Sequence, residues 1–469
     1  MAIQKYSRSN LHSTRALITS LGLVMVLASV VLFSRNKTED LARSTTKTLD
    51  ASRLISITPF PEMDGEMCTL TPASATASLL LPSPQSAAAA ADTAGAVDLS
   101  ARKPVRMIRD PYSAYSAVAV DPVHNEVVLT DENMFNILVY DRSANTPPNA
   151  KMTEPKRMIG GLNTKIEFQC GLYIDPVSGD IYGVNNDTVD TLVIFDRQAK
   201  GNVAPTRQLH TPHGTFGIAV DEDAQEMYLT VQHDNSVVVF RKNPSQEEAP
   251  TRLLQGNKTQ MHDPHGIAID TKNGLMFVGN YGNFHEKDYS QPNTVSGIRG
   301  GDKPNWPVAQ ELAGTGKFFP PSITVYSLKA KGDTAPLRVI QGPNTQMNWP
   351  AHLAFDVERQ ELYVANDMGD SIIVFAASAN GDVAPIRVVK GPKTLIKNPT
   401  GVFLDPKNDE FWVASFGNHA ATVFKRGIAG DVAPLRVIRS GPLGEPALGI
   451  GNPHPIAYDS KREEILVPN

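Results

Sequence analysis

Between residues 105 and 469 one pattern is written seven times, and a repeat of this length and content leaves few folds open. Each copy carries an apolar strand with an early arginine, such as Pro336-Leu-Arg-Val-Ile340, Pro385-Ile-Arg-Val-Val389 and Pro434-Leu-Arg-Val-Ile438. A strand closing on aspartate follows, as in His265-Gly-Ile-Ala-Ile-Asp270 and Thr400-Gly-Val-Phe-Leu-Asp405, then a third such as Glu361-Leu-Tyr-Val-Ala-Asn366. Six copies add a fourth, for example Ser371-Ile-Ile-Val-Phe375. Four short strands per period of about 50 residues imply a radial β architecture.

Two markers keep the copies in register. Aspartate closes the second strand at Asp121, Asp175, Asp221, Asp270, Asp356, Asp405 and Asp459, with intervals of 54, 46, 49, 86, 49 and 54. The long interval holds an insertion of about 37 residues, spanning 283–320. Arginine marks the first strand at Arg106, Arg157, Arg207, Arg252, Arg338, Arg387 and Arg436. The strands are densely apolar (Val237-Val-Val-Phe240), as expected for sheets covered on both faces, and Gly, Pro, Asn and Asp clusters separate them. No amphipathic helical stretch intervenes, which excludes an α/β fold.

The phrases Pro-x-Gly-Ile-Ala-x-Asp and Glu-Leu-Tyr-Val-Ala-Asn resemble the inner strands of β-propellers with NHL-type or YVTN-type repeats, and the resemblance covers about 365 residues. It implies an all-β fold and says little about activity, because one architecture hosts unrelated functions. The Val-Phe strand type occurs six times and the others seven, and the chain stops at Glu464-Ile-Leu-Val-Pro-Asn469. Seven four-stranded blades are therefore expected, the last incomplete or closed by the N-terminal strand at 105–108. A six-bladed ring with a stray edge, or a C-terminally cut fragment, is the alternative.

In front of the repeat, residues 16–33 form an uncharged apolar run long enough to span a bilayer, preceded by a basic segment, 1–15, with Lys5, Arg8 and Arg15. This reads as an uncleaved signal-anchor helix, which places the propeller outside the cytoplasm, periplasmic or extracellular, on a single-pass anchor. Cleavage would make the protein secreted. Residues 34–104 are rich in Ala, Ser, Thr and Pro with few large apolar side chains, the composition of a flexible tether. The domain then runs from 105 to 469.

Forty-four Lys and Arg against 49 Asp and Glu give a net charge of −5. With no basic, aromatic-interleaved stripe, nucleic acid is not an expected partner. Two cysteines, Cys68 in the tether and Cys170 in a strand, make no disulfide scaffold.

If the Asp-type strands are innermost, their first residues ring one mouth of the central channel. The candidate ligand-binding residues there are Cys170, His265, Thr400 and His454, with His352 one step along its strand, and Asp131, Asn185, Asn280 and Asn366 from the ends of the next strands. No nucleophile elbow, zinc-binding helix or phosphate-cradling loop occurs, so no catalytic residue is assigned. The metal-dependent lactonases of the gluconolactonase-like propellers are the sharpest enzymatic resemblance, and they imply a divalent cation held by carboxylate and amide oxygens. The first residues of the inner strands carry no Asp or Glu; only a weak cage of Asp131 and the three asparagines could hold calcium, and no metal or cofactor is otherwise expected.

The insertion emerges beside His265 and Asn280 and carries Phe284, Tyr289, Trp306, Phe318 and Phe319. An aromatic-bearing loop next to a funnel suits a lid or docking element. The expected function is a membrane-tethered binding or scaffolding module for a protein, peptide or glycan, with a lactonase-like hydrolase as the alternative.

Overall fold

Four consecutive strands, Tyr115–Asp121, Glu126–Asp131, Asn136–Asp141 and Arg157–Gly160, pair antiparallel in sequence order and form the first blade. The same order repeats in blades starting at Gln169, Thr215, Pro264, Pro350 and Pro399, giving a six-bladed β-propeller. The computed structural model describes residues 106–110, 115–132, 134–186, 189–293, 308–440, 457–459 and 464–466, and it contains no α-helix among them.

Why the chain forms blades follows from what each strand can bury. Strands such as Ile137–Val139 and Ile372–Val374 are inaccessible on both faces. A twisted sheet with two apolar faces must be covered on both sides, and stacking sheets around an axis does this without helices. Six apolar clusters result, one in each seam between neighbouring blades. The seam between the last and first blades holds 13 buried residues, including Leu129, Leu138, Trp412 and Val423. At roughly 1.5 kcal/mol or more for each large side chain, such a seam is worth on the order of 15–20 kcal/mol gross, before conformational entropy is subtracted.

The blade number corrects the sequence expectation of seven. A cyclic repeat has no intrinsic start, and the structural unit begins at the Asp-type strand and ends at the Arg-type strand. Arg157, Arg207, Arg252, Arg338, Arg387 and Arg436 all open the fourth strands of their blades. That phase leaves one Arg strand over at the front and one Asp strand at the back. The front strand, Arg106–Asp110, does not complete a blade begun at 454–469; it lies parallel to Arg436–Ser440 as a fifth, outermost strand of blade 6. It also accepts hydrogen bonds from Thr146 and Thr153 of blade 1 at Met107 O and Arg109 O (2.8 and 2.7 Å), so it joins the last blade to the first. Asp110, buried at its end, accepts from the phenols of Tyr115 and Tyr140, each at 2.5 Å. The back strand, Ala457–Asp459, pairs with Glu464–Leu466 as a separate two-stranded ladder.

Both repeated markers build the blade. The closing aspartates accept turn amides, as at Asp121 from Val123 and His124 (3.0 and 2.9 Å) and at Asp356 from Glu358 and Arg359. Five of the six arginines reach a carboxylate of their own blade, Arg157 to Glu126, Arg207 to Asp180, Arg252 to Glu226, Arg387 to Glu361 and Arg436 to Glu410, whereas Arg338 donates to Ala377 O of the next blade. Cross-blade pairing falls to cations just after the third strand. Lys242 meets Asp175 at 2.6 Å, Arg426 meets Asp356 at 2.6 Å, and Arg142 meets Glu410 at 3.0 Å across the closing seam.

The insertion is a hairpin, not a structureless loop. Asn283–Phe284 pairs with Lys317–Phe318, and Lys287–Asn293 pairs with Val308–Glu311. Among the described residues no helix is long and apolar enough to cross a membrane; the expected anchor at 16–33 and tether at 34–104 lie outside them.

Candidate functional site

The inner strands are so close at the axis that several need glycine. A Cβ on Gly217 would lie 2.5 Å from the His265 carbonyl of the next blade. Pairing register puts Gly171, Gly401 and His352 at one equivalent position, facing Val184, Ala414 and Ala365. Blade 1 carries Ala117 there, so His352 is the one bulky residue at this position, and its imidazole crosses the channel from blade 5 to the backbone of Cys170 in blade 2, with Phe216 6.5 Å away between ring centres. Neither ring nitrogen has a hydrogen bond of ordinary geometry among the described residues, and burial pulls its pKa down to about 4. The imidazole is a neutral plug.

Beside this plug lie His265 and Cys170, each one residue before the equivalent position on its own inner strand. His265 Nδ1 donates to Asp263 O at 2.9 Å, which leaves Nε2 as the acceptor toward the Gln232 amide. Burial lowers the His265 pKa to about 3, so its approach to the Asp263 carboxylate is not an ion pair. Cys170 is a buried thiol with Sγ 3.8 Å from Glu132 Oε1. Burial raises the Glu132 carboxyl to about 8, against the opposing pull of Ser116 and Cys170, so it is protonated at neutral pH.

The other expected residues divide. Asn185 accepts from Glu167 N and donates to Lys165 O and Thr191 Oγ1 (3.0, 2.8 and 2.8 Å). Asn280 and Asn366 make equivalent bonds to His262 and Thr324 and to Asn348, Gln346 and Ser371. These amides hold the connection that enters each inner strand. Asp131 is buried and accepts from Met134 N at 3.3 Å, and Thr400 donates to Tyr115 O at 3.4 Å in the closing seam. His454 lies outside the described residues.

The residues facing the channel from the second strands sit one position later: Glu132, Gln232, Tyr281 and Asp367. Alternation along a strand makes a one-residue step a change of face. The signal was variability, since Asn recurs at the clamp position while the next residue differs in every blade.

Tyr281 carries an aromatic stack, with His265 on one side (3.4 Å, 7° between planes) and Trp349 on the other (4.9 Å, 22°). Next to it opens a cavity of about 300 Å³, floored by Gln232 and His265 and bounded by Tyr281, Trp349 and Asp263. Its outer wall is the hairpin, through Asn283, His285 and Glu311. The hairpin is docked on blade 3 by the buried Lys287 ammonium, 3.3 Å from Asp234. At its base Phe284 and Phe319 pack on His262 at 4.9 and 4.1 Å, so these two expected partner-loop aromatics anchor the hairpin. Phe318 projects into solvent, with 68% of its surface exposed. Tyr289 lies in the strand Lys287–Asn293, and Trp306 lies outside the described residues.

No three His, Cys, Asp or Glu side chains come together as metal ligands among the described residues. The arrangement can stack and hydrogen-bond. No protein-family model matches the chain, and no curated protein matches it.

Proposed function

We propose that the protein is a ligand-binding propeller whose recognition site is the cleft between the funnel mouth and the blade 4 hairpin. The observation that carries this reading is the cavity walled by Trp349 and Tyr281 and closed by Asn283 and Glu311 of an insertion that only one blade has. A concave site with an aromatic wall and a few convergent polar groups is how binding sites are built. The repeat resembles the NHL and YVTN types. The apolar run at 16–33 and the low-complexity stretch at 34–104 support a membrane-tethered, extracytoplasmic module whose partner is a protein, peptide or glycan. The lactonase-like alternative needs a cation cage, and the asparagines it would use are engaged in the connections between blades.

A thermal-shift screen of peptides and oligosaccharides tests the reading, run on the protein and on a variant with 284–317 replaced by a short turn. Ligands that stabilise the first and not the second support it. Ligands that stabilise both equally place binding elsewhere and refute it.

A further inference from the structure

We infer that the cavity beside Trp349 is a subsite for an uncharged sugar ring, with the indole as its stacking platform; this rests on the binding-site reading above. Trp349 is the residue just before an inner strand. Its counterparts before Thr215, Pro264 and Pro399 are Gly214, Asp263 and Asn398, and all four have positive φ (77°, 59°, 43° and, for Trp349, 58°). Glycine, asparagine and aspartate tolerate that left-handed backbone, whereas a bulky side chain there costs about 1–2 kcal/mol. Core packing does not explain the exception, because 37% of Trp349 is exposed. Strain held in place at a cavity rim marks a functional constraint.

The stack defines what the platform can receive. Tyr281 has one face on His265 and the other on Trp349, so of the three stacked rings only the indole keeps a face for a ligand, and it offers one surface. A single flat apolar surface suits the C–H face of a pyranose, whose burial follows ordinary apolar transfer. It does not suit a quaternary ammonium ion, which gains most from several converging rings.

Charge narrows the class further. The lining holds the Asp263 and Glu311 carboxyls, the imidazoles of His233, His265 and His285, and no Lys or Arg. The nearest ammonium, Lys287, is already spent on Asp234 at 3.3 Å and Glu311 at 3.7 Å. Phosphate, sulfate and carboxylate would meet like charge from both carboxyls and find no Lys or Arg, only imidazoles and amides, to receive them. The amides of Gln232 and Asn283 both donate and accept, as hydroxyls do. Glu311 can accept from a hydroxyl, and Asp263, held up to about 6 by burial, can do so near neutral pH.

The test uses the full chain on an array of neutral, sialylated and sulfated glycans. Calorimetric titrations with cellobiose, chitobiose, tetramethylammonium and a basic peptide follow. Trp349→Asn installs the residue that blade 6 carries at this position and relieves the backbone, so its melting temperature should equal or exceed that of the parent. Its affinity for neutral glycan should fall about tenfold or more, which corresponds to losing one aromatic stacking contact, and Trp349→Phe should fall between. Unchanged glycan affinity in Trp349→Asn overturns the inference. Preference for charged glycans, or Trp349-dependent binding of tetramethylammonium or the peptide, also overturns it while leaving the binding-site reading intact. If no probe of any class binds, both fall.

Discussion

Arg142 of the first blade lies 3.0 Å from Glu410 of the sixth, and the same carboxylate is gripped from its own blade by Arg436 at 2.9 Å. One buried acid thus serves both the standard intra-blade bond and the closing seam. Glu410→Ala removes the acid shared by Arg436 and Arg142, leaving Arg142 with Asn408 at 3.1 Å, Asn125 at 3.1 Å and Asp405 at 3.8 Å, and should cost roughly 3 kcal/mol, the lower end of the loss when one member of a buried ion pair is removed. Arg142→Ala leaves Glu410 paired with Arg436, so about 1–2 kcal/mol is expected, near the worth of one charged hydrogen bond. Urea unfolding of both variants checks the order. Equal losses would mean that Arg142, not the shared acid, holds the seam.

Stability should fall with acid through a carboxylate of blade 1. Burial alone would raise the Glu126 pKa, but Arg157 and Lys156 overcome it and hold the group at about 2. A carboxylate depressed in the folded state stabilises fully above its unfolded value near 4.5 and loses that contribution as pH drops through about 2. Glu126→Gln should be less stable than the parent at pH 6 and should close the gap between about pH 4.5 and pH 2. Melting temperatures across that window decide it; a constant gap would show that charge is not the cause.

His352 gives a second and opposite kind of test. An imidazole whose folded pKa is lowered to about 4 cannot take up the proton that the unfolded chain binds near 6.5, so stability is lost as pH falls from 6.5 toward 4. His352→Leu has similar bulk, no nitrogen to satisfy and no proton to bind. It should gain about 1–2 kcal/mol at neutral pH, the cost of burying unpaired polar atoms, and lose less stability on acidification. Destabilisation at neutral pH would instead show that channel water or a ligand satisfies those nitrogens.

How much of this was legible depends on whether a feature repeats. Alternation, turn clusters and the Arg and Asp markers specify strands and blades, because each unit has to satisfy the same burial. Blade number was misread because Arg106 and Asp459 are leftovers at opposite ends, and a count of markers cannot tell a leftover from a unit. The channel ring was missed by one residue. Asn185, Asn280 and Asn366 draw the eye by recurring, yet recurrence is what a structural clamp requires, while Glu132, Gln232 and Tyr281 differ from blade to blade. The hairpin carries little strand-like alternation between Lys287 and Glu311, so its ladder is fixed by pairing rather than by local pattern.

The hairpin should open without unfolding the ring. Its polar tie to blade 3 is Lys287 on Asp234, the Lys287–Glu311 contact at 3.7 Å lying within the hairpin, while the six apolar seams do not involve it. Lys287→Ala leaves Asp234 buried without the ammonium that opposes the upward pull of burial on its pKa. The hairpin then loses its dock. Amide exchange in 283–293 and 308–318 should accelerate by about tenfold or more, as expected for losing one charged hydrogen bond. Exchange in Ile137–Tyr140 and the global melting temperature should hardly change. Equal acceleration in the core strands would show that the hairpin is part of the cooperative unit, and no acceleration would show that Phe284 and Phe319 on His262 suffice to dock it.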